Sequence, residues 1–73
     1  MAKYVYFVDG KRRSVSRKKL LGAALKAREP GFNWAYSIFL ERDDEPDLMV
    51  SDAAEYEMTK KPRFYTVPPC GGG

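Results

Sequence analysis

Reactive side chains are scarce in this chain of 73 residues. The stretch whose residue types suit chemistry is its end, Pro68-Pro69-Cys70-Gly71-Gly72-Gly73. Cys70 is the only cysteine, and there is no histidine. A thiol with no neighbouring base or cation stays largely protonated at neutral pH and is a weak nucleophile. Cys70 therefore reads as an incidental thiol or a partner contact. The glycines suit a different chemistry. A carboxylate is a poor electrophile, and an ATP-using enzyme must first convert it to an acyl-adenylate. To reach that enzyme's catalytic centre a C-terminus must thread a narrow channel, and only residues without side chains allow such close backbone approach. Extended, Pro68–Gly73 reaches about 20 Å; prolines stiffen its base and glycines free its tip. As a bare pattern, terminal glycines also suit an inert linker.

Other constellations are missing. There is no phosphate-cradling glycine loop, zinc spacing or nucleophile elbow. The acidic loop "DDEPD" has neither the length nor the pattern of a calcium-binding hand, so it reads as solvated surface. No intrinsic enzymatic activity, metal or cofactor is expected. One cysteine cannot form an internal disulfide, no run approaches the ~20 apolar residues of a membrane span, and the start lacks signal-peptide features. A cytoplasmic location in a reducing compartment, away from membranes, is the expectation.

The formal net charge of +3 hides an asymmetry. Lys11–Lys19, "KRRSVSRKK", holds six basic residues, whereas Glu41–Glu57 holds eight acidic residues and only Arg42 as a base. The basic run suits a plain polar hairpin, a docking surface for an acidic protein (Arg12, Arg13, Lys18), or a phosphate stripe with Tyr4, Tyr6 and Tyr65 as stacking platforms. The opposing acidic segment weakens the overall field and argues against nucleic acid.

The elements that position these residues follow from pattern. A domain this short buries roughly 60% of its unfolded surface, so its core is thin. Four Phe, five Tyr and one Trp help to fill it. "KYVYFV", Lys3–Val8, is a strand. Asp9-Gly10 suits a type I′ turn, and "KRRSVS" returns as a second strand with Val15 inward. Ser16 is the expected N-cap of a helix through "RKKLLGAALKARE", with Leu20, Leu21, Ala24, Leu25 and Arg28 at helical spacing. Two features sit badly in that helix: Gly22 inside it, and Lys18 and Lys19 at its positive end. Pro30 and Gly31 close it. Trp34–Leu40 is a strand, Leu48–Val50 a short strand, "SDAAEYEMTKKP" a connection, and Arg63–Val67 the last strand.

A lone helix among strands must cover one face of a single sheet. If the last strand lies beside the first, the arrangement is an α+β β-grasp, one helix packed on a mixed four- to five-stranded sheet. The ordered domain is expected over residues 1–67, with 68–73 as a tail. Alternation gives each strand two faces: Val5 and Phe7 oppose Tyr4, Tyr6 and Val8, and Tyr36, Ile38 and Leu40 oppose Ala35, Ser37 and Phe39. Since the helix covers one side, large residues must remain on the open face, where exposed apolar patches mark partner sites.

"YFVDGK", a Ser-capped helix with "LL", an aromatic third strand and "RFYTVPP" together resemble the bacterial multiubiquitin-type family across Lys3–Pro69. The chain would be a single-repeat member of these ubiquitin-like β-grasp modifiers. The resemblance implies that a ubiquitin-activating-like enzyme adenylates Gly73, with Gly72 beside it, and holds it as a thioester. A conjugating-like enzyme then delivers it to target proteins as an isopeptide bond, and a metal-dependent isopeptidase-like protein processes or reverses the link. "PPC" stands where ubiquitin carries an arginine-rich approach to its glycines. Two other classes of function suit the same features. One is a sulfur carrier bearing a terminal thiocarboxylate; the other is a non-covalent binding module with an inert tail.

Overall fold

The computed structural model describes residues 3–70. β1 (Tyr4–Val8) and β2 (Lys11–Val15) form the expected antiparallel hairpin, with Val8 opposite Lys11 and Tyr4 opposite Val15. Asp9 and Gly10 both adopt positive φ, 52° and 79°. That is the conformation a two-residue type I′ turn requires. Beyond β3 (Lys19–Leu21) and α1 (Gly22–Arg28) come β4 (Ser37–Leu40), β5 (Leu48–Met49), β6 (Glu55–Glu57) and β7 (Arg63–Val67).

The main sheet has the order β2-β1-β7-β4-β5. The last strand sits at its centre, parallel to β1 and antiparallel to β4. One helix on a mixed five-stranded sheet with first and last strands adjacent is the ubiquitin-like β-grasp. The core beneath α1 gathers Leu25 from the helix, Tyr6 and Val8 from β1, Ile38 from β4 and Phe64 from β7, each no more than 2% exposed. Phe64 meets Tyr6 at 6.1 Å and Tyr56 at 6.5 Å between ring centroids, both in the T-shaped geometry that ring quadrupoles favour.

The start of the helix differs from expectation. Ser16 is not its cap: the helix begins at Gly22, with Leu21 in the cap position and no side-chain cap. Lys19–Leu21 instead pair antiparallel with β6, Leu20 opposite Tyr56, in a second, two-stranded sheet. This ribbon supplies what a cap would. The Gly22 and Ala23 N–H groups donate to the carbonyls of Ala54 (2.9 Å) and Asp52 (3.1 Å), so the helix's first donors are satisfied by the neighbouring loop. Both oddities of the sequence are thereby resolved. Lys18 and Lys19 lie outside the helix, and Gly22 is required by space: a Cβ there would stand 2.0 Å from the Ser51 carbonyl oxygen.

Two further boundaries move. Trp34–Tyr36 is a turn and not strand, because Asn33 captures the chain: its Oδ1 accepts from Ala35 N–H at 2.9 Å and its carbonyl from Tyr36 N–H at 2.9 Å. The connection after β5 contains β6, whose Tyr56 is buried between two exposed glutamates. The helix does end before Pro30, and Lys26 and Arg28 in its last turn suit its negative end.

Candidate functional site

The site is built around the end of β7. Val67 closes the strand, and Pro68, Pro69 and Cys70 follow, exposed and with no secondary structure. Proline lacks the N–H a ladder needs, which accounts for the stop. Cys70 is a free, exposed thiol. The expected reactive end, Gly72 and Gly73, and Gly71 of the expected tail lie outside the described residues.

Three neighbours hold the base of this segment. On one side β4 pairs with β7 from Phe64 to Val67, Ser37 opposite Val67 and Phe39 opposite Tyr65. On the other side β1 pairs only at Phe7–Arg63 and Val8–Phe64. Past that point the hairpin turn takes over. Thr66 N–H donates to Asp9 Oδ1 at 2.9 Å and Thr66 Oγ1 donates to Asp9 Oδ2 at 2.6 Å, a link between residues 57 apart in sequence.

The face of the sheet away from α1 is apolar at its centre. Register places Val5 and Phe7 of β1, Tyr65 and Val67 of β7, Phe39 of β4 and Met49 of β5 on this side. Tyr65 stacks on Phe39 with ring centroids 5.6 Å apart and planes within 12°, and Met49, opposite Phe39, is 57% exposed. The Tyr65 hydroxyl donates to Asp47 Oδ2 at 2.6 Å, while Arg42 N–H donates to Oδ1 at 3.0 Å. The tyrosine bond, then the backbone bond, hold the Asp47 carboxyl below its ordinary value; the same contact raises the Tyr65 phenol. The acidic loop is therefore shaped, and it also reaches Arg63, which pairs with Glu41 at 3.1 Å and Asp43 at 3.7 Å.

The predicted recognition residues separate. Tyr6 is 2% exposed and belongs to the core, so it cannot meet a partner; Tyr4 packs against the same core. Alternation allowed either phase because both faces of β1 are apolar, and burial chose the one with Tyr6 and Val8 inward. Tyr65 is on the open face. Arg13 faces the helix side and forms a two-bond pair with Glu29, Nε to Oε1 at 3.1 Å and Nη2 to Oε2 at 2.8 Å. That contact raises the Arg13 pKa further and ties the hairpin to the end of α1. Arg12, opposite Phe7, is exposed beside the open face. Lys18 is exposed too but precedes β3, in the other sheet, and its carbonyl accepts from Met58 N–H at 2.7 Å. Arg12, Arg13 and Lys18 are thus not one patch.

Phe39, Met49 and Asp9 were not picked out from sequence as site residues. Cross-strand register would have found the first two; nothing local signals the third, because its partner is near the other end of the chain. Among the described residues no group of three His, Cys, Asp or Glu is placed to hold a metal, and no helix is long and apolar enough to cross a membrane. Compared with protein-family models, curated proteins and solved structures, the chain matches none.

Proposed function

We propose that this chain is a ubiquitin-like protein modifier, activated at its C-terminal carboxylate and attached to target nucleophiles. The supporting observation is topological. Among the described residues the central strand β7 is also the last element, and it runs directly into an exposed segment at Pro68. A terminal arm launched from the middle of a rigid sheet has a defined origin, which presenting a carboxylate to a catalytic centre demands.

In this reading an activating-like enzyme joins the Gly73 carboxylate to the α-phosphate of ATP, releasing pyrophosphate. An enzyme cysteine thiolate displaces AMP and gives a thioester. A conjugating-like enzyme takes up the acyl group, and a target amine displaces the thiol to form an amide; an isopeptidase-like protein hydrolyses that amide. The chain itself supplies the acyl group, its base and a recognition face. The open face around Tyr65, Phe39 and Met49, with Arg12 beside it, is where those enzymes would grip.

The test is intact and peptide mass spectrometry of the protein recovered from its host. Branched target peptides carrying the tail's glycines support conjugation. A thiocarboxylate on Gly73 without such peptides would replace the modifier reading by sulfur transfer, and an unmodified chain alone would leave a binding module.

A further inference from the structure

We infer that Asp9 is a positioning residue for the C-terminal segment: its carboxylate pins the end of β7 to the hairpin turn and so sets the direction in which the chain leaves the sheet. The geometry stands by itself, while the consequence for activation rests on the modifier reading.

The parallel ladder between β1 and β7 has evenly spaced hydrogen bonds. Phe7 N–H donates to Pro62 O at 3.0 Å and Asp9 N–H to Phe64 O at 3.0 Å. The next bond of an unbroken ladder would run from Thr66 N–H to the carbonyl of Asp9. At Asp9, however, the backbone has entered the turn, with φ 52°. The Thr66 N–H goes to Asp9 Oδ1 instead, and the Thr66 hydroxyl takes Oδ2. The side chain of the turn residue replaces the main-chain acceptor that the turn removes. Because both carboxylate oxygens are engaged, the contact fixes orientation as well as distance.

Residue choice follows. A type I′ turn accepts Asn, Asp or Gly at this position, but only a side chain with an acceptor one carbon beyond Cβ can continue the ladder. Without it, β7 past Phe64 would be paired through β4 alone. The described part of the arm, Pro68–Cys70, spans about 10 Å when extended, and a swing of roughly 20° at its base moves its end by about 3.5 Å. Displacements of 1 Å already cost reactions on the order of a hundredfold.

Cys70 makes the test direct, since a nitroxide attached to the chain's only thiol reports where the arm points. The variants are Asp9→Gly, which keeps the turn and loses both bonds, and Asp9→Asn, which keeps an Oδ1 acceptor. Relaxation of the β2 amides by the nitroxide and hydrogen exchange at the Thr66 amide are measured in both. Asp9→Gly should speed Thr66 exchange at least tenfold and flatten the relaxation pattern, with Asp9→Asn close to wild type. An unchanged pattern and unchanged exchange in Asp9→Gly overturn the inference. Should that variant not fold, Thr66→Val, which removes only the hydroxyl bond, must alter the relaxation pattern, and failure to do so is equally fatal. With the host's activating enzyme and ATP, Asp9→Gly should lower kcat for adenylate formation at least tenfold with KM within twofold, restored by Asp9→Asn. Wild-type kcat in a variant whose arm has swung free would remove the functional half. If even wild type is not adenylated, the modifier reading fails, while exchange and relaxation still decide the geometry.

Discussion

Replacing Gly22 by alanine sets two magnitudes against each other. By helix propensity alone the change should help by up to ~1 kcal/mol, and less at a first helical residue. Space decides the opposite. The new Cβ would lie 2.0 Å from the Ser51 carbonyl oxygen, 2.7 Å from its carbon and 2.7 Å from Val50 Cγ1. Two of these atoms are backbone, so no rotamer change relieves the contact, and the 50–52 segment must move. Overpacking of this kind costs ~1–3 kcal/mol, occasionally more. The same movement strains the Ala23 N–H bond to Asp52 O, which stands in for a helix cap. The expected net loss is about 2 kcal/mol. In a domain of this size that lowers Tm by roughly 8–16 °C. Thermal unfolding followed by circular dichroism measures it. A Tm equal to or above wild type would refute the packing argument and leave propensity as the only consideration at this site.

The Arg13–Glu29 pair joins hairpin to helix, so Glu29→Gln should lower Tm, with the deficit shrinking in 1 M salt; a salt-independent deficit would show that charge is not its cause. The Asp47 carboxyl is held below its ordinary 3.8. Its contribution to stability is therefore present above that pH and lost as pH falls through the depressed folded value. Tyr65 is raised above 10.0, so its contribution is present below that pH and lost as pH rises through the folded value. Tyr65→Phe should move the Asp47 titration, read by carboxyl NMR, back upward, and an unmoved titration contradicts the assignment. Arg12→Glu, which alters the basic residue beside the open face and spares the structurally engaged Arg13, should raise KM for the activating enzyme at least fivefold without changing Tm by more than a few degrees, whereas Lys18→Glu, away from that face, should leave KM unchanged. An unchanged KM in Arg12→Glu would mean that this residue does not serve that encounter.

The hairpin and the last strand were legible because their signals are local: dense aromatic and β-branched residues around Asp9-Gly10, and a proline stop after Val67. The β3–β6 ribbon was not. "KLL" and "EYE" are three residues each, too short to show a period, and Leu20 and Leu21 also fit the helical spacing that continues to Leu25. Only the pairing of Leu20 with Tyr56 and its neighbours, far apart in sequence, distinguishes ribbon from helix. Gly22, a puzzle inside the supposed helix, was in fact the trace of that close approach. For the candidate site, the proline base and the existence of an open face could be read, but not which side of β1 it was, since both sides are apolar. The Asp9–Thr66 link joins residues whose proximity exists only once β7 lies beside β1.

The most direct test of the account asks whether the Gly73 carboxylate is an enzyme's substrate. The purified chain is incubated with its host's activating-like enzyme and ATP, then run on a gel without reductant. Two controls accompany it: Cys70→Ser, and a chain amidated at Gly73. The account predicts an ATP-dependent, thiol-cleavable enzyme adduct that persists in Cys70→Ser and vanishes on amidation. No adduct, or one that survives amidation and disappears with Cys70, would contradict it.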